Sequence, residues 1–217
     1  MDDTGLNQRY ALYLAAGLLF GMMAREFARA SVAFRLGDPT PKLWGRLSWN
    51  PKSWFEPFGS GLLPILILIL WAVGSGYLPP PVAYAKPAPI DPNYFRSRTR
   101  AVVLSSLAGP AANLVLAAPA ALLVRSFTGE LYFVTLAFAF TNLCLAFFHL
   151  IPIPGLDGAR LVALLLPPRA AEVYRNADAY LPLFVLVVLF VFSGPVWAIV
   201  YGLVNAVFRV LSGGPQV

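Results

Sequence analysis

Charge is scarce in this sequence. Asp, Glu, Lys and Arg supply 12% of its 217 residues, where a soluble domain carries roughly 25%. Apolar side chains supply 59%, and mean hydropathy is +0.70. Several apolar runs approach or exceed the ~20 residues a helix needs to cross a bilayer. A soluble domain is excluded, and the chain reads as an all-α polytopic membrane protein. Cysteine is nearly absent too: Cys144 stands alone, which rules out an intrachain disulfide and leaves a small apolar packing role. Histidine is limited to His149. It lies five positions from Cys144, whereas residues on one helical face are three or four apart, so the two make a poor metal pair. There is no Gly-rich phosphate loop and no Ser/His hydrolase pairing. The first ten residues lack the basic region of a cleaved signal, so the first apolar segment is expected to be retained.

What is present is a series of apolar segments broken by prolines and charges. The first runs from about Tyr10 to Phe34 and ends at Leu36-Gly37-Asp38-Pro39, where Gly and Pro break helix. Lys42 to Gly59 alternates Trp44, Trp49 and Trp54 with basic residues. It is expected to form an interfacial hairpin or short amphipathic piece with an aromatic belt. Gly61 to Val73 is short enough to span or to dip back. The loop Gly74 to Arg100 is proline-rich, and its YAKPAPIDPNYF stretch should be extended. It is read either as an edge for another extended peptide or as a stiff connector. Ala101 to Val124 offers Ser105, Ser106, Ala108, Gly109, Ala111 and Ala112 for close helix approach, with Asn113 polar at depth. A fourth segment, Leu131 to about Phe148, runs into IPIPGLDGARL, where Pro152 and Pro154 forbid regular helix. Tyr180 to Leu211 is interrupted at Ser193-Gly194-Pro195, as one kinked helix or a hairpin. Five or six crossings result, in a single integral-membrane domain over 1–217, with a core of 10–166 and a C-terminal helix or hairpin at 179–212.

The net charge of +6 is read as Lys and Arg anchoring loops at the lipid surface, not as nucleic-acid binding. With five crossings, Lys and Arg lean eight to six toward the side of the N-terminus, which would make that side cytoplasmic. Arg25, Glu26 and Arg29 sit in the first apolar segment, with 25 and 29 one turn apart on one helical face. Charges at membrane depth cost ~2.5–3.5 kcal/mol each on insertion scales and need partners. The acid at the mouth of a later segment is Asp157, so a buried network of Arg25, Glu26, Arg29 and Asp157 is expected.

The motifs resemble the site-2 proteases, intramembrane zinc peptidases. Leu36 to Thr40 and Gly45 to Pro51 resemble the turn and hairpin that follow the family's His-Glu-x-x-His helix. YAKPAPIDPNYFR resembles its Ala-Lys-Pro loop, Leu107 to Leu114 its third-helix motif, and Asn142 to Leu161 the stretch that supplies its third zinc ligand. The resemblance covers roughly residues 15–166 in the same order and is nearest the small subgroup without a PDZ domain. It implies a multi-pass protein of a bacterial cytoplasmic membrane whose cleft receives a transmembrane protein segment. Asn113, Asn142, His149, Pro87 and Pro89 are the candidate cleft residues.

The departures matter more. The resemblance puts the two zinc histidines at Arg25 and Arg29, which have no lone pair to offer a metal. Glu26 keeps the base position, and Asp157 keeps the third ligand position. One ligand of three does not make a catalytic zinc site. No cofactor is therefore expected, although zinc is expected for the family. Two guanidinium groups would instead balance the two carboxylates. The resulting reading is a degenerate, non-cleaving family member. An active protease with relocated metal ligands, or a proton- or anion-conducting membrane protein, are the alternatives.

Overall fold

The computed structural model describes residues 3–73 and 79–213. Positions 74–78 of the proline-rich loop lie outside the described residues. Among those described, every regular element is helical. Five helical segments are long and apolar enough to cross a membrane: Gln8–Arg35, Arg98–Ser126, Glu130–Phe148, Pro168–Phe190 and Gly194–Ser212. The fold is an all-α polytopic membrane protein.

Helix α1 spans Asp3–Arg35 without interruption, about 50 Å at 1.5 Å per residue. It starts earlier than Tyr10 because the polar residues before it continue the helix beyond the apolar run. It stops at Gly37, whose φ of +109° lies in the left-handed region that a side chain disfavours. A short apolar helix, α2 (Leu63–Ala72), follows. Helices α3 (Arg98–Leu123) and α4 (Glu130–Phe148) complete the centre of the bundle. After them come α5 (Asp157–Ala163), α6 (Pro168–Asn176), α7 (Leu181–Phe190) and α8 (Ser193–Ser212).

Glycines set the directions of the central helices. A Cβ on Gly21 of α1 would lie 2.8 Å from Asn142 Oδ1 and 3.1 Å from Asn113 Nδ2, and one on Gly17 would lie 3.1 Å from Thr141 Cβ. A Cβ on Gly109 would lie 2.9 Å from Arg25 Cγ. As α1 numbers rise from 21 to 25, the facing α3 numbers fall from 113 to 109, so the two helices are antiparallel. By the same test α1 and α4 are parallel. Small residues bring these backbones close, as membrane helices require. Ser105, Ser106, Gly109 and Asn113 are buried in this contact, whereas Ala111 faces outward. Helix α8 runs antiparallel to α4. Its Trp197 meets Phe148 at 6.2 Å between ring centroids, and its Tyr201 stacks on Phe140 at 6.1 Å.

Between α1 and α3 the chain dips and returns. Glu56 caps a wide turn over Pro57–Leu62 by accepting from the Gly59 N–H, and α2 carries the chain inward. The extended stretch then pairs with the segment that preceded the dip: Tyr84 N–H donates to Gly59 O (3.1 Å) and Lys86 N–H to Trp54 O (2.9 Å). A Cβ on Gly59 would collide with the Tyr84 ring and carbonyl. Val82, Ala83, Tyr84 and Ala85 are buried, so this stretch packs as part of the core and is no surface connector. The expected aromatic belt loses one member. Trp54 is 2% exposed, donates Nε1–H to Ser48 O (2.8 Å) and lies under the Arg46 guanidinium. Trp49 stacks on Phe27 and Phe20 yet stays 48% exposed, and Trp44 is open too.

This topology reverses the charge lean. With α3 antiparallel to α1, the basic loops 35–52 and 86–100 share one end of the bundle, and 160–175 follows α4 out of that same end. Eleven Lys and Arg lie there, against Arg9, Arg125 and Arg209 at the other. The eight-to-six count assumed that 61–73 crossed. The C-terminal break falls at Val191-Phe192, two residues before Ser193-Gly194-Pro195. Tyr174 OH donates to Pro152 O, Leu181 packs against Gly155, and Trp197 just after the break meets Phe148, so Pro168–Phe190 both starts and finishes at the basic end.

Candidate functional site

Four charged side chains meet inside the bundle. Arg25, Glu26, Arg29 and Asp157 are 3%, 1%, 4% and 1% exposed. Arg25 sits in the centre: its Nη1 donates to Glu26 Oε1 at 2.5 Å, and its Nη2 donates to Asp157 Oδ2. Arg29 lies farther off, with Nη1 3.6 Å from Glu26 Oε2 and Nε 3.7 Å from Asp157 Oδ1. Burial removes water from all four groups, so each charge depends on the others.

Local structure explains how Asp157 reaches α1. Helix α4 ends at Phe148, and Pro152 and Pro154 keep the chain out of helix until Asp157 opens α5. Gly158 N–H donates to His149 O (2.9 Å), and a Cβ there would strike the Leu150 carbonyl. The turn closes tightly enough to present Asp157 inward only because residue 158 is glycine. Gly109 does the same on α3, since its missing side chain leaves room for Arg25.

A fifth charge joins the cluster that the sequence reading did not include. Arg160 Nη1 stands 3.5 Å from Asp157 Oδ1, with its side chain 24% exposed. The spacing i, i+3 on α5 was visible in GLDGAR, but the expected balance of two acids against two arginines left it out. Three guanidinium groups now face two carboxylates, and the cluster carries one surplus positive charge.

The five candidate cleft residues do not line one cleft. Asn113 Nδ2 donates to Gly21 O (3.1 Å) and Asn142 Oδ1 (2.9 Å), and Asn142 Nδ2 donates to Phe138 O (2.9 Å). Both are buried and tie α1, α3 and α4 together one turn from the charges. His149 is 1% exposed and its Nδ1 bonds Leu145 O at 2.9 Å, which assigns the proton to Nδ1. Pro87 is exposed. The cavity beside the cluster is lined by Ala88, Ile90 and Pro92 from this stretch. Pro87 and Pro89 are not among the residues that line it.

The donor set does not fit zinc. Arg25 and Arg29 occupy the centre without a lone pair between them, and both carboxylates are engaged by guanidinium groups. Among the described residues no three His, Cys, Asp or Glu side chains come together to hold an ion.

Fold and site define a class first: a helical membrane protein with a buried arginine–carboxylate cluster in its bundle. Comparison with known proteins narrows this. The chain is 34% identical over 192 residues to "Putative zinc metalloprotease YwhC" of Bacillus subtilis, covering 82% of this chain and 80% of that protein. It is 32% identical to "Putative zinc metalloprotease Rip2" of Mycolicibacterium smegmatis, covering 82% of this chain and 66% of the relative. Against Rip2 of Mycobacterium tuberculosis H37Rv the identity is 31%, over 79% of this chain and 64% of the relative. The chain belongs to the site-2 protease family. No family model matches it, and no solved structure matches it.

Proposed function

We propose that this chain is a catalytically degenerate site-2 protease that holds or regulates a membrane protein segment without cleaving it. The observation that carries the reading is the Arg25 guanidinium forked between Glu26 and Asp157. Hydrolysis of the zinc type needs three protein ligands and a water whose proton the metal loosens. Here two candidate ligand positions are permanently cationic. Glu26, the carboxylate in the base position, is bonded to Arg25 and has no activated water to serve. The binding half of the reading rests on the family, whose relatives are named as metalloproteases.

Relocated metal ligands would need a new donor cluster; Cys144 is buried in the apolar core, and no three His, Cys, Asp or Glu side chains come together among the described residues. The deciding experiment is elemental analysis of protein purified without chelators, with co-purifying membrane proteins sized in parallel. Zinc well below one per chain and partners at full length are expected. One zinc per chain that is lost in E26Q or D157N, or partner fragments that disappear in E26Q, would overturn the proposal.

A further inference from the structure

The cluster opens onto a cavity of about 230 Å³ at the basic end of the bundle, and the cavity wall is cationic. Arg29, Arg98, Arg160 and Arg175 all line it, from four different helices, against one acid, Asp178. Glu26 and Asp157 are already engaged by Arg25 and Arg29. No described carboxylate forms an ion pair with Arg98 or Arg175. We propose that this cavity binds a phosphate group.

Unused donors support the assignment. Ser106 is 1% exposed and lines the cavity, yet its Oγ has no hydrogen-bond partner. Arg29 Nε and Arg160 Nη1 are buried and likewise lack one, since their distances to Asp157 exceed hydrogen-bond length. Buried polar hydrogens without acceptors are costly, and a bound oxyanion would satisfy several together. Helix α3 also opens on the cavity through Arg98 and Val102, and its N-cap residue Ser97 makes no side-chain bond. The free N–H groups of that first turn add positive potential. Arginine forks match phosphate oxygens. The cavity is smaller than the roughly 300–1,000 Å³ of pockets that take drug-sized ligands, and suits a small anionic group. Free phosphate and a lipid phosphomonoester headgroup offer the same chemistry. The proposal does not depend on whether the protein cleaves anything.

The test uses full-length protein in neutral detergent, with thermal unfolding followed against sodium phosphate and against sodium chloride at equal ionic strength. A second arm uses phosphatidylcholine nanodiscs with and without phosphatidic acid. Phosphate should raise the unfolding temperature where chloride does not. If free phosphate does so in detergent the ligand is soluble, and if only phosphatidic acid does so it is a lipid. Arg98→Gln and Arg175→Gln, at exposed positions outside the buried cluster, should each raise the apparent Kd about tenfold, the loss of one charge-assisted hydrogen bond. Arg96→Gln, which does not line the cavity, should leave it unchanged. Failure of both phosphate forms to stabilise the wild type, or equal stabilisation of R98Q and R175Q, would overturn the proposal.

Discussion

Gly109 and Arg25 fit because one has no side chain where the other's begins. A Cβ at 109 would lie 2.9 Å from Arg25 Cγ and 3.3 Å from Asp157 Oδ2, closer to Arg25 than real Cβ contacts come. Close helix approach and the charge cluster are thus one feature. Gly109→Val should destabilise the protein by about 1–3 kcal/mol, the usual cost of overpacking. Thermal unfolding in detergent measures this, and an unchanged midpoint would mean that α1 and α3 are not held this closely.

Removing Asp157 should cost more than removing its partner as well. Asp157→Ala leaves Arg160 with no acid and Arg25 and Arg29 sharing Glu26, and a broken buried pair costs about 3–5 kcal/mol. The Arg25→Ala/Asp157→Ala double variant should recover part of that loss. Unfolding midpoints of both single variants and the double variant give the coupling. Strict additivity would contradict a direct interaction.

Replacing the two arginines with imidazole should change the metal chemistry. The pair R25H and R29H would set two lone-pair nitrogens beside Asp157, which is the donor set a catalytic zinc uses. About one zinc per chain is the expected uptake, read by elemental analysis against wild type. No uptake would show that more than these two side chains decides whether a metal binds.

Asn113 and Asn142 are predicted to be structural. Hydrogen bonds between membrane helices average about 0.6 kcal/mol and reach about 1.7. Asn113→Ala and Asn142→Ala should fall in that range and couple in a double-variant cycle. An effect on partner binding with no effect on stability would move them back into a recognition role.

Orientation in the membrane follows from the bundle ends. Basic residues favour the cytoplasmic side, and the end where α1 finishes holds eleven of them against three. The N-terminus should then face away from the cytoplasm. A cysteine placed at exposed Asn50, in a Cys144→Ala background, should resist an impermeant thiol reagent in right-side-out vesicles. Rapid labelling would reverse the assignment.

The amino-acid sequence determined the helical membrane class, the family and the meeting of Arg25, Glu26, Arg29 and Asp157. Those features rest on long-range rules that tolerate no local compromise: apolar length must match the bilayer, and charges at depth must find opposite charges. Tertiary structure alone decided that 57–86 dips and returns, which moved two basic loops to one end and reversed the charge lean. It alone set which residues of the proline-rich stretch line the cavity, Ala88, Ile90 and Pro92 in place of Pro87 and Pro89. The pairing of Tyr84 with Gly59 and Lys86 with Trp54, residues far apart in the chain, fixes where that stretch lies. Arg98, Arg160 and Arg175 converge from separate helices for the same reason. Each is an ordinary basic residue in the chain, and becomes part of one positive cavity only when the helices that carry them are packed.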